Sequence, residues 1–135
     1  MNDEGHVVEI KDVGKVYKTG ARELRVLRGI NMVVKEGEFI AILGPSGAGK
    51  STLLHIMGGL DEPTAGKVYL DGRDLYRLSD RERADIRNRR VGFVFQFYHL
   101  LPEFSALENV MMPAMIRKGS RFPSAEFTLS EANVL

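Results

Sequence analysis

Apolar and polar positions trade places along this chain with two distinct periods, and the switches between them mark out the elements. Val7-Val8-Glu9-Ile10 and Gly14-Lys15-Val16-Tyr17 predict strand segments on either side of a polar kink at Lys11-Asp12. Thr19-Gly20 is a turn, and the loose alternation of Leu24, Val26, Leu27, Ile30, Met32 and Val34 predicts one or two strands joined near Arg28-Gly29. After a turn at Lys35-Glu36-Gly37-Glu38, the run Phe39-Ile40-Ala41-Ile42-Leu43 is apolar at every position. That pattern predicts a strand buried on both faces. A helix follows from Lys50 to Met57, broken by Gly58-Gly59, and then a strand at Lys67-Val68-Tyr69-Leu70 closed by Asp71-Gly72. Two capping boxes start further helices: Ser79-Asp80-Arg81-Glu82, running to about Arg90, and Ser105-Ala106-Leu107-Glu108, running toward Met115. Between them Val91-Gly92-Phe93-Val94-Phe95 predicts a second buried strand, ending at Gln96. Pro113 is expected to distort the last helix. From Arg117 onward periodicity fades, and no internal repeat or low-complexity tract occurs.

The chemistry sits between the first buried run and the first helix. Gly44-Pro45-Ser46-Gly47-Ala48-Gly49-Lys50-Ser51-Thr52 fits G-x-x-x-x-G-K-[ST], the phosphate-cradling P-loop, and the strand, loop and helix occur in the order it requires. Backbone N–H groups reach anionic oxygens only where bulky Cβ atoms are absent, which Gly44, Gly47 and Gly49 provide. The helix starting near Lys50 turns free amides and its positive dipole end toward such oxygens. Lys50 adds a mobile charge for the β- and γ-phosphates of a nucleoside triphosphate, and the Ser51 hydroxyl suits Mg²⁺. The bland alternative is a glycine-rich turn capping an ordinary helix; the flanking elements argue against it.

Composition narrows the setting. The chain of 135 residues has room for one domain, and 44% hydrophobic with 27% charged residues describes a globular protein. Lys+Arg 19 against Asp+Glu 18 leaves a formal charge of +1, so no basic excess points to nucleic acid. The absence of cysteine excludes a disulfide framework and a thiolate metal site, and suits a reducing cytoplasm. The polar start Met1-Asn2-Asp3-Glu4-Gly5-His6 is no signal peptide, and no apolar run reaches membrane-spanning length. Membrane association would then go through a partner.

From about Val7 to about Lys118 the chain resembles the nucleotide-binding subunit of an ABC transporter. Three features carry the resemblance beyond the P-loop: Lys15-Val16-Tyr17 upstream, the run from Gly58-Gly59-Leu60-Asp61 to Gly66-Lys67-Val68, and Val91-Gly92-Phe93-Val94-Phe95-Gln96. Gly58-Gly59-Leu60-Asp61 together with Phe95-Gln96-Phe97-Tyr98-His99-Leu100-Leu101-Pro102 is similar to the lipoprotein-releasing, macrolide-export and cell-division type. The resemblance implies an α/β fold, a P-loop NTPase core of mostly parallel sheet with helices behind an N-terminal antiparallel β-subdomain. It implies ATP and Mg²⁺ as ligands, with Tyr17 stacking on adenine, residues Gly44 to Thr52 cradling the phosphates, Lys50 and Gln96 in catalytic roles, and Ser51 and Gln96 on the metal. The partners implied are a transmembrane permease subunit, contacted through Phe97 to Pro102, and a second nucleotide-binding subunit. Location on the inner face of the cell membrane follows from the permease.

Parts of that family's pattern are not found. Asp61-Glu62 and Asp71 do not follow four apolar residues as a Walker B strand end requires, and Leu129-Ser130-Glu131-Ala132-Asn133 shares only two residues with the signature loop. His6, His55 and His99 all lie too early for a switch histidine. The expectation is therefore a truncated cassette: residues 1–118 as its front part, residues 119–135 as a tail unlike the family, and ATP hydrolysis deficient in the chain alone. Two other readings stand beside it. A nucleoside monophosphate kinase has a similar loop but begins almost at the P-loop and needs an Arg- and Tyr-rich acceptor site absent after Gly59. A non-catalytic nucleotide-binding module predicts a folded monomer. DNA binding through Arg73, Arg77, Arg81, Arg83, Arg87, Arg89 and Arg90 is disfavoured by the interleaved Asp74, Asp80, Glu82 and Asp85.

Overall fold

The computed structural model describes residues 5–118. The chain divides into two compact units, one ending at Arg83 and the other beginning at Ala84. The first unit is built on strands β1 (His6–Thr19) and β2 (Arg22–Lys35), an antiparallel hairpin turned at Gly20 with φ 60°. Helix α1 (Lys50–Met57), strand β3 (Ala65–Leu70) and the short strand β4 (Arg73–Asp74) follow. All pairings are antiparallel, in the order β2-β1-β3-β4. Ile10, Val13, Leu27, Val68 and Leu70 from the sheet, Leu53 and Ile56 from α1, and Leu75 are buried and form the core. Each such side chain contributes about 1.5–3 kcal/mol of burial free energy.

The polar kink predicted at Lys11-Asp12 is a β-bulge. Register slips between Ile10 and Val13, Asp12 takes φ 50°, and its N–H donates to Asn31 Oδ1 at 2.9 Å. A glycine on each neighbouring strand makes room. A Cβ at Gly29 of β2 would lie 2.9 Å from Asp12 Oδ1, and one at Gly66 of β3 would lie 2.3 Å from the Asp12 carbonyl. The Arg28-Gly29 junction foreseen in the second strand is therefore a response to the bulge in the first. The Asp71-Gly72 turn forms as expected, with φ 48° and 74°, and opens into β4.

Two expected strands are not formed. Phe39–Leu43 and Val91–Phe95 carry no strand pairing, and Phe39, Leu43 and Val94 are 93%, 89% and 103% exposed. A continuous apolar run states that both faces want cover, but a strand exists only beside another. No described segment supplies that edge, so the parallel part of the expected sheet is absent among the described residues, while the four antiparallel strands are formed.

Helix α2 (Asp80–Arg90) begins in the first unit and continues in the second, which also holds α3 (Ala106–Lys118). Both capping boxes form. Ser79 Oγ and Glu82 Oε2 lie 2.6 Å apart and Ser79 N–H donates to the same carboxylate at 2.9 Å; at α3, Ser105 N–H donates to Glu108 Oε2 at 2.7 Å. Helix α3 runs through Pro113 to Lys118, beyond the expected Met115. The Asn109 amide ties it to the preceding loop, accepting from Leu101 N–H at 2.9 Å and donating to the Leu101 and Phe104 carbonyls at 3.1 Å. The tail reading of residues 119–135, with Leu129 to Asn133, lies outside the described residues.

Candidate functional site

The glycine-rich loop has the backbone its sequence demanded. Gly44, Gly47 and Gly49 all adopt positive φ (157°, 78° and 87°), and Ala48 N–H closes a turn on the Pro45 carbonyl at 3.2 Å. The last two are glycine for different reasons. A Cβ at Gly47 would meet nothing within 4 Å, so its constraint is conformational and it leaves open space above the backbone. At Gly49 a Cβ would sit 2.8 Å from Val26 Cγ1 and 3.0 Å from Leu27 Cδ2, so that glycine lets the start of α1 press against β2.

Gly49 is also the N-cap of α1, and no side chain caps it. The first intrahelical bond runs from Leu53 N–H to the Gly49 carbonyl at 2.9 Å, so the amides of Lys50, Ser51 and Thr52 have no partner within the helix. Helices α2 and α3, in contrast, close their ends with serine. Lys50 folds back over the loop, its ammonium donating to the Gly44 and Pro45 carbonyls, both at 2.7 Å. Positive φ glycines, free amides, a dipole end and an ammonium converge on one short segment. That donor set matches an oxyanion group with several acceptors, and offers a neutral ligand nothing comparable.

Tyr17, near the end of β1, belongs to the same unit and joins a network that reaches the far end of α1. Its hydroxyl donates to Asp61 Oδ2 at 2.6 Å. Lys15, two residues earlier, is buried and donates to Asp61 Oδ1 at 2.5 Å and to the Glu62 carbonyl at 2.6 Å. The Lys15 ammonium also stands 4.9 Å from the Tyr17 ring centroid. Desolvation and the hydrogen bond to Asp61 push the Tyr17 hydroxyl above its ordinary pKa. At Asp61 desolvation pushes upward, but hydrogen bonds from Lys15 and Tyr17 outweigh it and hold the carboxyl below its ordinary value. The sequence alone does not mark Lys15 or Asp61 as site residues. The only signal was that Lys15 shares a strand with Tyr17 at the two-residue period.

Gln96 belongs to the second unit, where it is exposed. The segment around it is aromatic: Phe93 stacks on Phe95 at 5.3 Å, and Phe95 meets His99 edge-on at 4.8 Å, with His99 at φ 45°. Phe97, Tyr98, Leu100 and Leu101 are exposed. Among the described residues no group of three or more His, Asp or Glu side chains is placed to hold a metal, and no helix is long and apolar enough to cross a membrane.

Comparison with known proteins adds a family to this geometry. Residues 27–134 match the family model described as ABC transporter. A lipoprotein-releasing system ATP-binding protein LolD of Geobacter metallireducens is 56% identical over 119 residues, 88% of this chain and 53% of the relative. The protein of that name from Shewanella denitrificans is 52% identical over 129 residues, 96% of this chain and 54% of the relative. Among solved structures, the dimeric ABC transporter cassette MJ0796 is similar at 44% identity and TM-score 0.79, covering 88% of this chain and 50% of that one. A post-hydrolysis structure of MJ0796 bound to ADP and Pi is similar at TM-score 0.80, again at 44% identity, covering 87% of this chain and 50% of its own. The chain spans about half the length of the curated relatives it matches.

Proposed function

The chain belongs to the ABC transporter family, and from that premise we propose that it forms the phosphate- and base-binding part of an ATP-binding subunit that powers transport through a membrane partner. The observation that carries the proposal is the uncapped start of α1 beneath a positive-φ glycine loop with Lys50 folded over it. The backbone N–H groups of the Gly44 to Thr52 loop, Pro45 having none, bind the phosphates, Lys50 neutralises the β- and γ-oxygens, and the exposed Ser51 hydroxyl is the proposed Mg²⁺ ligand of this unit. The exposed face of Tyr17 takes the adenine ring by stacking, a contact that tolerates any purine. Gln96 is proposed to serve the metal and the attacking water, since its amide offers a neutral oxygen and an N–H.

No general base that would take the proton of the attacking water is found among the described residues. None of their carboxylates follows a strand in the Walker B arrangement, and Asp61, the nearest in sequence, is engaged by Lys15 and Tyr17. ATP hydrolysis, a second cassette and a permease contacted through the exposed segment Phe97 to Pro102 are proposed for the whole protein. Relatives named for lipoprotein release support a substrate of that kind. The matched family does not favour the nucleoside monophosphate kinase alternative. The test is calorimetric titration of the protein with ATP, ADP and adenosine. Affinity carried by the phosphates ranks ATP and ADP far above adenosine; equal affinities would contradict the assignment.

A further inference from the structure

The base-stacking tyrosine does not stand alone on its strand. Lys15 reaches Asp61 and the Glu62 carbonyl with its ammonium, so a charge that burial would penalise is paired and hydrogen-bonded on one side of the ring. That ammonium lies 4.9 Å from the Tyr17 ring centroid and occupies one face. Tyr17 as a residue remains 38% exposed, so part of its surface is open to a planar ligand. Asp61 divides its carboxylate, one oxygen to Lys15 and the other to Tyr17.

Asp61 is itself fixed to α1. The N–H groups of Leu60 and Asp61 converge on the His55 carbonyl at 2.8 and 3.3 Å, and the Tyr76 hydroxyl lies 2.7 Å from the Ile56 carbonyl and 2.6 Å from that of Asp61, its proton shared between them. The chain of contacts therefore runs from the helix that begins at the phosphate loop, through Asp61, to the hydroxyl of Tyr17. It spans 44 residues of sequence between the tyrosine and the carboxylate.

We propose that Asp61 and Lys15 are positioning residues for nucleotide-base binding: they clamp the Tyr17 ring in one orientation relative to α1, so that the base and the phosphates of one nucleotide are received in fixed register. The proposal rests on the reading that Tyr17 stacks on the base. A free tyrosine side chain would have to be immobilised on binding, at a cost in affinity; a ring held beforehand avoids most of it. Because the clamp acts on the ring and not on the loop, it affects ligands that carry a base and spares those that carry phosphates alone.

The experiment compares ATP with inorganic tripolyphosphate as titrants of the complete protein and of Tyr17→Ala, Tyr17→Phe and Asp61→Asn. Base stacking on an aromatic ring is worth about tenfold in affinity. Tyr17→Ala is expected to weaken ATP by about that factor, and Tyr17→Phe and Asp61→Asn, which release the ring without removing it, by about fivefold. Tripolyphosphate affinity stays within about twofold in all three, which also reports that the loop and α1 are folded. ATP affinity unchanged in Tyr17→Phe and Asp61→Asn, with Tyr17→Ala weakened, overturns the clamp and leaves stacking standing. Unchanged ATP affinity in Tyr17→Ala overturns the stacking reading, and the clamp with it. Equal loss of ATP and tripolyphosphate in Asp61→Asn makes the network a folding element and overturns the positioning role.

Discussion

The Tyr17 hydroxyl donates to Asp61 Oδ2 at 2.6 Å, joining the end of the first strand to the residue just past the glycine exit of the first helix. In the sequence Asp61-Glu62 is a decoy for a Walker B strand end, ruled out because Gly58-Gly59 precede it and it follows the P-loop helix directly. In the fold both carboxylate oxygens of Asp61 are taken by Tyr17 and Lys15. Its work is to hold side chains.

That engagement gives stability a pH dependence with a defined sign. The folded-state pKa of Asp61 lies below the ordinary 3.8, so its contribution is full above pH 3.8 and is lost as the pH falls through the lowered folded value. Tyr17 is raised above 10.0, so its contribution is full below pH 10.0 and is lost as the pH rises through the raised value. Urea unfolding of the protein and of Asp61→Asn should therefore give midpoints that differ at neutral pH and converge on acidification below about pH 4. A gap that stays constant down to pH 2 would show that Asp61 titrates normally. Using the difference between the two proteins cancels Glu82 and Glu108, whose carboxyls are also lowered by their capping serines.

The two loop glycines should separate stability from binding. Gly49→Ala places a methyl 2.8 Å from Val26 Cγ1 at a φ of 87°, and should cost about 2–4 kcal/mol in stability through combined overpacking and strain. Gly47→Ala meets no neighbour and carries only the conformational cost of about 1 kcal/mol, but it intrudes where the phosphates are proposed to bind. Thermal melts and ATP titrations together distinguish them: the first lowers Tm more, the second lowers affinity without a comparable fall in Tm.

Capping predicts a smaller, local effect. Ser105→Ala removes the acceptor for Glu108 N–H at 3.3 Å and the hydroxyl bonded to its carboxylate at 2.7 Å, and should cost about 1 kcal/mol. Hydrogen exchange at the start of α3 reads it directly. Protection there unchanged from the parent protein would show that the cap contributes nothing.

Much of this was legible in the sequence wherever the cause is local. Helix α1 begins at Lys50 and ends at Met57 as expected, because Gly49 and Gly58 bracket it. Serine and glutamate three residues apart announced α2 and α3, and the Lys11-Asp12 kink announced the bulge in β1. Expectation failed where the cause is a neighbour. Phe39–Leu43 and Val91–Phe95 have the composition of strands, yet strand pairing needs an edge that no described residue provides. The Lys15–Asp61 pair failed for the same reason: 46 residues separate them, and nothing in either local pattern names the other.

The most direct test of the central claim is the affinity of Lys50→Ala for ATP, measured by titration calorimetry beside the parent protein. Among the described residues the Lys50 ammonium bonds the Gly44 and Pro45 carbonyls and lies outside the buried core, so its loss should leave the fold intact by circular dichroism. ATP binding should fall below detection. A folded Lys50→Ala protein that binds ATP as tightly as the parent would contradict that claim.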